Sequence, residues 1–233
     1  MKAALVQLVQ NKYKTSRRVT MENRIVKFRS KDSNLISLHA IPGHFATSHS
    51  HINYYVDVTS IKTRASEAKE AAKVFYSKIP KGGYIDTIVC MDGTEMIGAF
   101  LSEQIENAGV MTINTHETTY VVSPEINNNN QIIFRDNNKG AIEGKHVVVL
   151  LATTTTGETI KRALECISYY GGNVVSVASI FSTIDEVDGI AIEKIYDAND
   201  VLNYEAYSVT DCPFCKKGHK IEAMVNGYGY SKL

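Results

Sequence analysis

The residues with the clearest chemical potential lie between His146 and Leu164. The apolar run from His146 to Leu151 predicts a buried strand, and the residues from Thr159 to Tyr170 predict an amphipathic helix. A turn rich in hydroxyl groups joins them and enters the helix: Thr153, Thr154, Thr155, Thr156, Gly157, Glu158 and Thr159. Backbone N–H groups and hydroxyls would converge there beside a helix N-terminus, which favours binding of a phosphate group. Alternatively, the threonines only end the strand and cap the helix.

A second strand end carries the residues Met91, Asp92, Gly93 and Thr94. Ligands of open α/β sheets bind outside the carboxyl ends of the strands, so this turn and the threonine-rich turn should face one ligand. Acidic residues at the start of a helix also serve as caps, which is the alternative role of Asp92.

Three histidines, His44, His49 and His51, fall in a polar and aromatic segment over residues 43–55. They lack the i, i+4 spacing of a helical ligand pair, and no HExxH motif accompanies them. A loop that binds a planar ligand therefore suits this segment better than a metal site.

Cys212 and Cys215 are spaced like metal ligands, with His219 four residues further on. A zinc site closed by four cysteines would need a partner subunit, because Cys90 and Cys166 belong to a predicted strand and a predicted helix. A structural tail, a zinc site and a redox role are the three alternatives for this motif.

The elements that position these residues follow an alternating pattern of short apolar runs and amphipathic segments. This pattern predicts an α/β fold with a mostly parallel sheet flanked by helices. The predicted elements are strands at Asn34 to Ala40, His51 to Val58, Tyr84 to Met91, Gly109 to Asn114 and Asn173 to Phe181, and helices at Lys2 to Lys12, Ser66 to Tyr76 and Glu95 to Asn107. Pro42 and Gly43 are expected to end the first of these strands.

A polar interval between Val122 and Gly144 contains four consecutive asparagines, then Arg135 and Lys139. Long loops inside compact α/β domains are often lids or binding loops, so the interval is either a mobile lid or an exposed hairpin.

The composition limits the class of function. The 233 residues include 25 basic and 25 acidic ones, so the net charge is zero, and no excess of Lys and Arg is available for nucleic acid or an anionic membrane. No run approaches the roughly 20 apolar residues of a membrane span, and four cysteines do not form a disulfide framework. We therefore expect a cytoplasmic protein with one main domain and no nucleic-acid or membrane partner.

Three segments together resemble the type I phosphoribosyltransferases, and among them the orotate enzymes. They are residues 43–54, residues 84–105 and residues 140–181, in the same order and at similar spacing, and the CPFCKKG tail at 212–218 resembles the ending of some orotate enzymes. The resemblance implies a Rossmann-like core with a small hood built from the N-terminal and C-terminal parts and a flexible loop. The corresponding division is a helical hood segment over residues 1–40, the core over 41–205 and a tail with the CxxC motif over 206–233. It also implies a homodimer that takes phosphoribosyl pyrophosphate (PRPP) with Mg²⁺ and transfers its phosphoribosyl group to orotate or a related base.

The resemblance implies roles for the segments described above. The turn of residues 153–159 would bind the 5′-phosphate, and residues 91–94 would bind the pyrophosphate. Arg135 and Lys139 would be the catalytic cations of the flexible loop. The base would contact Phe45, Thr47, Ser48, His49 and Tyr54.

Leu151 and Ala152 occupy the positions at which the family carries two acids for the ribose hydroxyls. Losing a charge-assisted hydrogen bond of about 1.5 to 3 kcal/mol weakens binding roughly tenfold or more for each bond. We therefore expect one of two alternative functions. The protein is either an orotate-type phosphoribosyltransferase or a non-catalytic relative that binds a nucleotide or sugar phosphate.

Overall fold

The computed structural model describes residues 20–80, 84–108, 118–127, 129 and 131–233. The helix predicted over residues 2–12 and the strand predicted over 109–114 lie outside these ranges. The described residues form two six-stranded sheets and a two-stranded ribbon. Among them, no helix is both long enough and apolar enough to cross a bilayer.

The predicted helices and strands that fall within the described ranges lie close to observed elements, and the structure adds several short strands and helices that were not predicted. The strands are β1 (Val26–Arg29), β2 (Ser37–Ala46), β3 (His51–Asp57), β4 (Thr87–Cys90), β5 (Tyr120–Val122), β6 (Glu125–Ile126), β7 (Ile132–Ile133), β8 (His146–Thr154), β9 (Asn173–Ser182), β10 (Glu186–Val187), β11 (Ile190–Asp197), β12 (Ala206–Tyr207), β13 (Ala223–Asn226) and β14 (Gly229–Lys232). The α-helices are α1 (Thr59–Thr63), α2 (Ala65–Lys78), α3 (Glu95–Asn107), α4 (Glu158–Tyr169) and α5 (Pro213–Lys216).

The central sheet has the strand order β10-β11-β9-β8-β4-β5. Its pairings are parallel except that of β10 with β11. Alternate residues of β8 enter opposite cores: Val148 and Leu150 pack with α2 and α3, whereas Val147 and Val149 pack with α4. Burial on both faces explains why this strand is the most apolar run in the chain, and the predicted α/β class is confirmed.

The second sheet, which we call the hood, joins both ends of the described chain. Its strand order is β12-β3-β2-β13-β14, and β1 pairs with β2. The expectation that Pro42 and Gly43 end the first strand is wrong, because β2 continues to Ala46 with an irregularity between Pro42 and Phe45. A bulge lets a strand accommodate a proline that cannot donate to the ladder. The predicted domain boundary after residue 40 consequently falls inside β2.

The polar interval of residues 122–144 is partly anchored on the central sheet. It contains the β6–β7 ribbon and a 3₁₀ turn at Asp136–Ala141. Ile132 and Phe134 pack into the core around α4, and the Cys166 thiol donates to the carbonyl of Ile132 at 3.2 Å. The role of this interval as a lid stays a prediction.

The packing of α3 against β4 depends on the absence of a side chain at Gly98. A Cβ there would lie 2.4 Å from the Cys90 sulfur and 3.1 Å from a Val121 methyl group. We expect Gly98→Ala to lower the free energy of unfolding by about 1 to 3 kcal/mol because the added methyl group overpacks the core. This is the opposite of the stabilisation that the higher helix propensity of alanine alone would give. Urea titration followed by circular dichroism measures the change. Gly140→Ala is the control because a Cβ at Gly140 meets nothing within 4 Å, and equal stability of the two variants would contradict the packing argument.

Candidate functional site

A cleft lies between the hood and the edge of the central sheet where β4 and β8 end. Its volume is about 850 Å³, including its mouth to solvent. Its lining contains the three segments predicted to share a ligand: residues 47–49 of the hood, Asp92 after β4, and all seven residues from Thr153 to Thr159. The fold therefore brings together parts of the chain that lie more than 100 residues apart.

The threonine-rich turn is held in place by Thr183, the residue that directly follows β9. The Thr183 amide donates to the Thr154 carbonyl at 3.1 Å, and its hydroxyl donates to the Thr155 carbonyl at 2.7 Å. Gly157 starts the helix in the left-handed region with φ 79°, and it packs against Val187. The carbonyls of Thr154 and Thr155 are thus occupied, and the first N–H groups of α4, which have no partners within the helix, belong to residues that line the cleft.

Asp92 occupies the turn after β4 with φ 58°, a left-handed conformation that aspartate tolerates better than most residues. The backbone of Ala152 in β8 lies near the Asp92 carboxyl group and favours the charged form, which works against the rise in pKa that burial causes. The Thr94 hydroxyl fastens the turn by donating to the carbonyls of Met91 and Leu150, at 2.8 and 3.1 Å. Met91 and Thr94 are buried and only support the turn, so of the four residues predicted here Asp92 alone lines the cleft.

A buried lysine that the sequence analysis overlooked joins this turn to the hood. The Lys62 ammonium donates to the carbonyls of Asp92 and Gly227, both at 2.6 Å, and the side chain is almost inaccessible. Burial lowers the pKa of Lys62, and the nearby carboxylates of Asp92 and Glu95 oppose that shift. Burial raises the pKa of Asp92, and Lys62 opposes that shift. The lone lysine within α1 carried no sequence signal for this role.

The predicted base-binding segment enters the cleft in part. Thr47, Ser48 and His49 line it, and the Thr47 hydroxyl closes the turn by donating to the Ser50 carbonyl at 3.0 Å. Phe45 is completely buried in the hood, and Tyr54 packs against the larger core, so neither is among the lining residues. Phe45 instead packs with Ile52, Tyr55 and Val225, three members of the same hood core that do line the cleft. The cleft wall is instead apolar and aromatic, formed by Ile52, Tyr55, Phe181 and Tyr204.

The C-terminal strands complete the cleft, which the sequence did not predict. Val225, Asn226 and Gly227 line it from β13 and the following turn. Gly227 lies so close to Asp92 that an added Cβ would be 2.4 Å from its carboxyl carbon. A glycine is therefore required for the hood to approach the β4 turn.

Arg135 and Lys139 do not line the cleft of this chain. Arg135 pairs with Glu125, with its Nε 2.9 Å from the carboxylate, and Lys139 pairs with Asp136 at 3.2 Å. Both pairs are exposed, and exposed ion pairs contribute little to stability, so these cations can change partners. Their catalytic role stays a prediction.

The histidine segment and the CxxC motif, which are far apart in the sequence, lie side by side in the structure. His44 and His51 of the hood hairpin lie beside Cys212 and Cys215, and one ligand atom from each lies within 4.8 Å of all the others. Helical ligand spacing does not apply to the two histidines, because they sit on paired strands and not on one helix. No partner subunit is needed to assemble this four-residue group.

Comparison with known proteins gives relatives for part of the chain. No protein-family model matches it. The chain is 34% identical over 77 residues to orotate phosphoribosyltransferase of Thermoanaerobacter sp. (strain X514) and 36% identical over 77 residues to that of Thermotoga maritima. This chain resembles the orotate phosphoribosyltransferases. The match covers about a third of the chain and 39% of each relative's own length.

The fold has a counterpart among solved structures. The structure of Leishmania donovani UMP synthase superimposes with a TM-score of 0.51 and 18% identity, over 69% of this chain and 34% of that one. Together with the orotate phosphoribosyltransferase relatives, this likeness agrees with the phosphoribosyltransferase-like core predicted from the sequence.

Gly157 offers a test of the threonine-rich turn. A Cβ there would lie 2.8 Å from Val187 and 2.9 Å from Ile184, at a backbone conformation that costs about 1 to 2 kcal/mol for other residues. We expect Gly157→Ala to distort the turn and to weaken the binding of ribose 5-phosphate at least tenfold in calorimetric titration.

The control is Gly189→Ala, since Gly189 has the same φ of 79° but a Cβ there meets nothing within 4 Å. It shares the backbone strain without the clash and should keep its affinity. Equal affinities of both variants and the unsubstituted protein would exclude the turn as the phosphate site.

Proposed function

We propose that this protein is an orotate-type phosphoribosyltransferase that transfers the phosphoribosyl group of PRPP to orotate or a related nitrogenous base, a step of pyrimidine nucleotide synthesis. The observation that carries the proposal is the single cleft in which Thr47 to His49, Asp92 and the turn of residues 153–159 face one another. These segments follow, in order along the chain, the base, pyrophosphate and 5′-phosphate elements of the family that the chain resembles. Relatives named orotate phosphoribosyltransferase support the same reaction.

In the proposed reaction a nitrogen of the base attacks C1 of the ribose while the bond from C1 to the pyrophosphate oxygen breaks. The threonine-rich turn holds the 5′-phosphate through N–H groups and hydroxyls beside the start of α4. The hydroxyls of Thr47 and Ser48 and the imidazole of His49 offer hydrogen bonds to a polar planar base. Holding both reactants in one cleft converts a bimolecular reaction into an effectively unimolecular one.

Asp92 is the proposed replacement for the absent ribose acids. Leu151 and Ala152 are completely buried and point into opposite cores, so neither contacts the cleft. The Asp92 carboxyl side chain, in contrast, lines the cleft together with the turn of residues 153–159. A carboxylate at this place can accept hydrogen bonds from ribose hydroxyls, which are of the stronger, charge-assisted kind.

The donors at the cleft fit Mg²⁺. The carboxylates of Asp92 and Glu158 and the threonine hydroxyls are oxygen donors, which this cation prefers, and it is commonly held by one or two carboxylates together with substrate phosphates. Asp92 and Glu158 would hold it. Bound there with PRPP, the ion would supply charge neutralisation for the departing pyrophosphate.

The proposal includes a cytoplasmic homodimer in which the interval of residues 122–144 serves the neighbouring subunit. Arg135 and Lys139 are exposed and pair with the exposed acids Glu125 and Asp136. They could therefore move onto a pyrophosphate in the neighbouring cleft and stabilise its developing charge.

A second candidate function is a non-catalytic nucleotide or sugar-phosphate binding protein. The buried apolar residues Leu151 and Ala152 favour it, since they remove both family acids while the phosphate turn is kept. Calorimetric titration with PRPP and Mg²⁺, then with orotidine monophosphate, separates the two. Binding of PRPP with turnover in the presence of orotate supports the enzyme, whereas binding of the monophosphate with no response to PRPP supports the alternative.

Substitution of Asp92 tests its role in the site. We expect Asp92→Asn to weaken PRPP binding at least tenfold, because a charge-assisted bond of about 1.5 to 3 kcal/mol becomes a neutral one. Titration with PRPP at saturating Mg²⁺ measures the change. Asp188→Asn is the matched control, since Asp188 is also left-handed, with φ 51°, but lies outside the cleft. Unchanged or tighter binding in Asp92→Asn would exclude Asp92 as the substitute acid.

A further inference from the structure

We propose that His44, His51, Cys212 and Cys215 bind one structural Zn²⁺ ion, which fastens the C-terminal segment to the hood hairpin. Each residue contributes one ligand atom, and the four atoms lie within 4.8 Å of one another. His44, His51 and Cys212 are buried, and Cys215 closes the group at the surface. Two cysteines and two histidines form a usual donor set of structural zinc sites.

The distances between the ligand atoms fit a tetrahedron around zinc. Bonds of about 2.3 Å to sulfur and 2.0 to 2.1 Å to nitrogen give edges of about 3.3 Å between nitrogens and about 3.6 Å between nitrogen and sulfur. His44 Nε2 is 3.2 Å from His51 Nδ1. The Cys212 and Cys215 sulfurs are 3.5 and 3.7 Å from His44 Nε2, and Cys215 is 3.3 Å from His51 Nδ1. The donors are therefore already arranged around a point that one small cation would fill.

The surroundings of His44 select the nitrogen that faces this point. Its Nδ1 lies 3.1 Å from the His219 carbonyl and 3.2 Å from the Lys220 carbonyl, so Nδ1 carries the proton and donates. Nε2 then presents its lone pair to the other three residues. Ligating histidines usually have this support, in which the second ring nitrogen donates to a carbonyl. The ring also stacks on Phe214, with centroids 5.2 Å apart, which fixes its plane.

The fold explains why these four residues meet. His51 pairs with Ala46 in the β2–β3 hairpin, two residues from His44, so both imidazoles lie on one side of the hood. Cys212 immediately precedes the short helix α5, and one helical turn carries Cys215 back beside it. The site would thus hold α5 against the hairpin that presents Thr47, Ser48 and His49 to the cleft. Thiolate and imidazole donors suit zinc and not Mg²⁺, so the site is chemically distinct from the cleft.

The test begins with the zinc content of the purified, reduced full chain, measured by elemental mass spectrometry. We expect one zinc per chain, and loss of at least nine-tenths of it in Cys215→Ser. Cys166→Ser is the matched control because Cys166 lies outside the group, and it should keep one zinc. His51→Cys should also keep zinc, since it replaces one ligand with another, and it guards against loss through misfolding alone.

Replacement of zinc by Co²⁺ reports the geometry. We expect intense visible absorption of tetrahedral cobalt with a thiolate charge-transfer band, absent in Cys215→Ser and present in Cys166→Ser. A strong chelator should lower the melting temperature of the unsubstituted chain but not that of Cys215→Ser, since a metal bound only to the folded state stabilises it.

Three results would overturn the proposal: a full chain that takes up neither zinc nor cobalt, equal zinc in Cys215→Ser and Cys166→Ser, or a weak cobalt spectrum without the thiolate band. These readouts need no PRPP, so they stand or fall separately from the proposed function.

Discussion

The buried ammonium of Lys62 is the constraint on which the cleft depends. It donates to two carbonyls that belong to segments far apart in the chain, the β4 turn and the turn after β13. A buried cation must be satisfied by hydrogen bonds, so these carbonyls have to stay within reach of it. Meeting that requirement places Gly227 against Asp92 and sets how closely the hood approaches the central sheet.

Much of the central sheet could be predicted because its signals are local. The run from His146 to Leu151 is apolar at every position except its first, as a strand buried on both faces requires, and the helix after Gly157 has a clear amphipathic period. The hood could not be predicted in the same way. Its strands are short, and β13 pairs with β2 across some 180 residues, an arrangement that no local pattern encodes.

The site shows the same division between local and distant information. The threonine-rich turn and Asp92 were predicted together because the carboxyl ends of parallel strands share an edge. Lys62 and Gly227 were missed, since a lone lysine and a lone glycine are common on protein surfaces. Phe45 and Tyr54 were assigned to the site from the family pattern, but both side chains pack into cores and neither lines the cleft. The histidines and the CxxC motif each looked incomplete because half of the group lay in the other motif.

The dependence of the cleft on Val225, Asn226 and Gly227 has a consequence for the order of events during synthesis. All strands of the central sheet lie between β4 and β11 in the sequence. The sheet can therefore form as soon as residue 197 has left the ribosome. The cleft, in contrast, has one wall missing until residue 227 is free. Contacts of such long sequence separation form late and slow the last stage of folding. A nascent chain would therefore carry an assembled sheet for a time before it could retain a phosphorylated ligand.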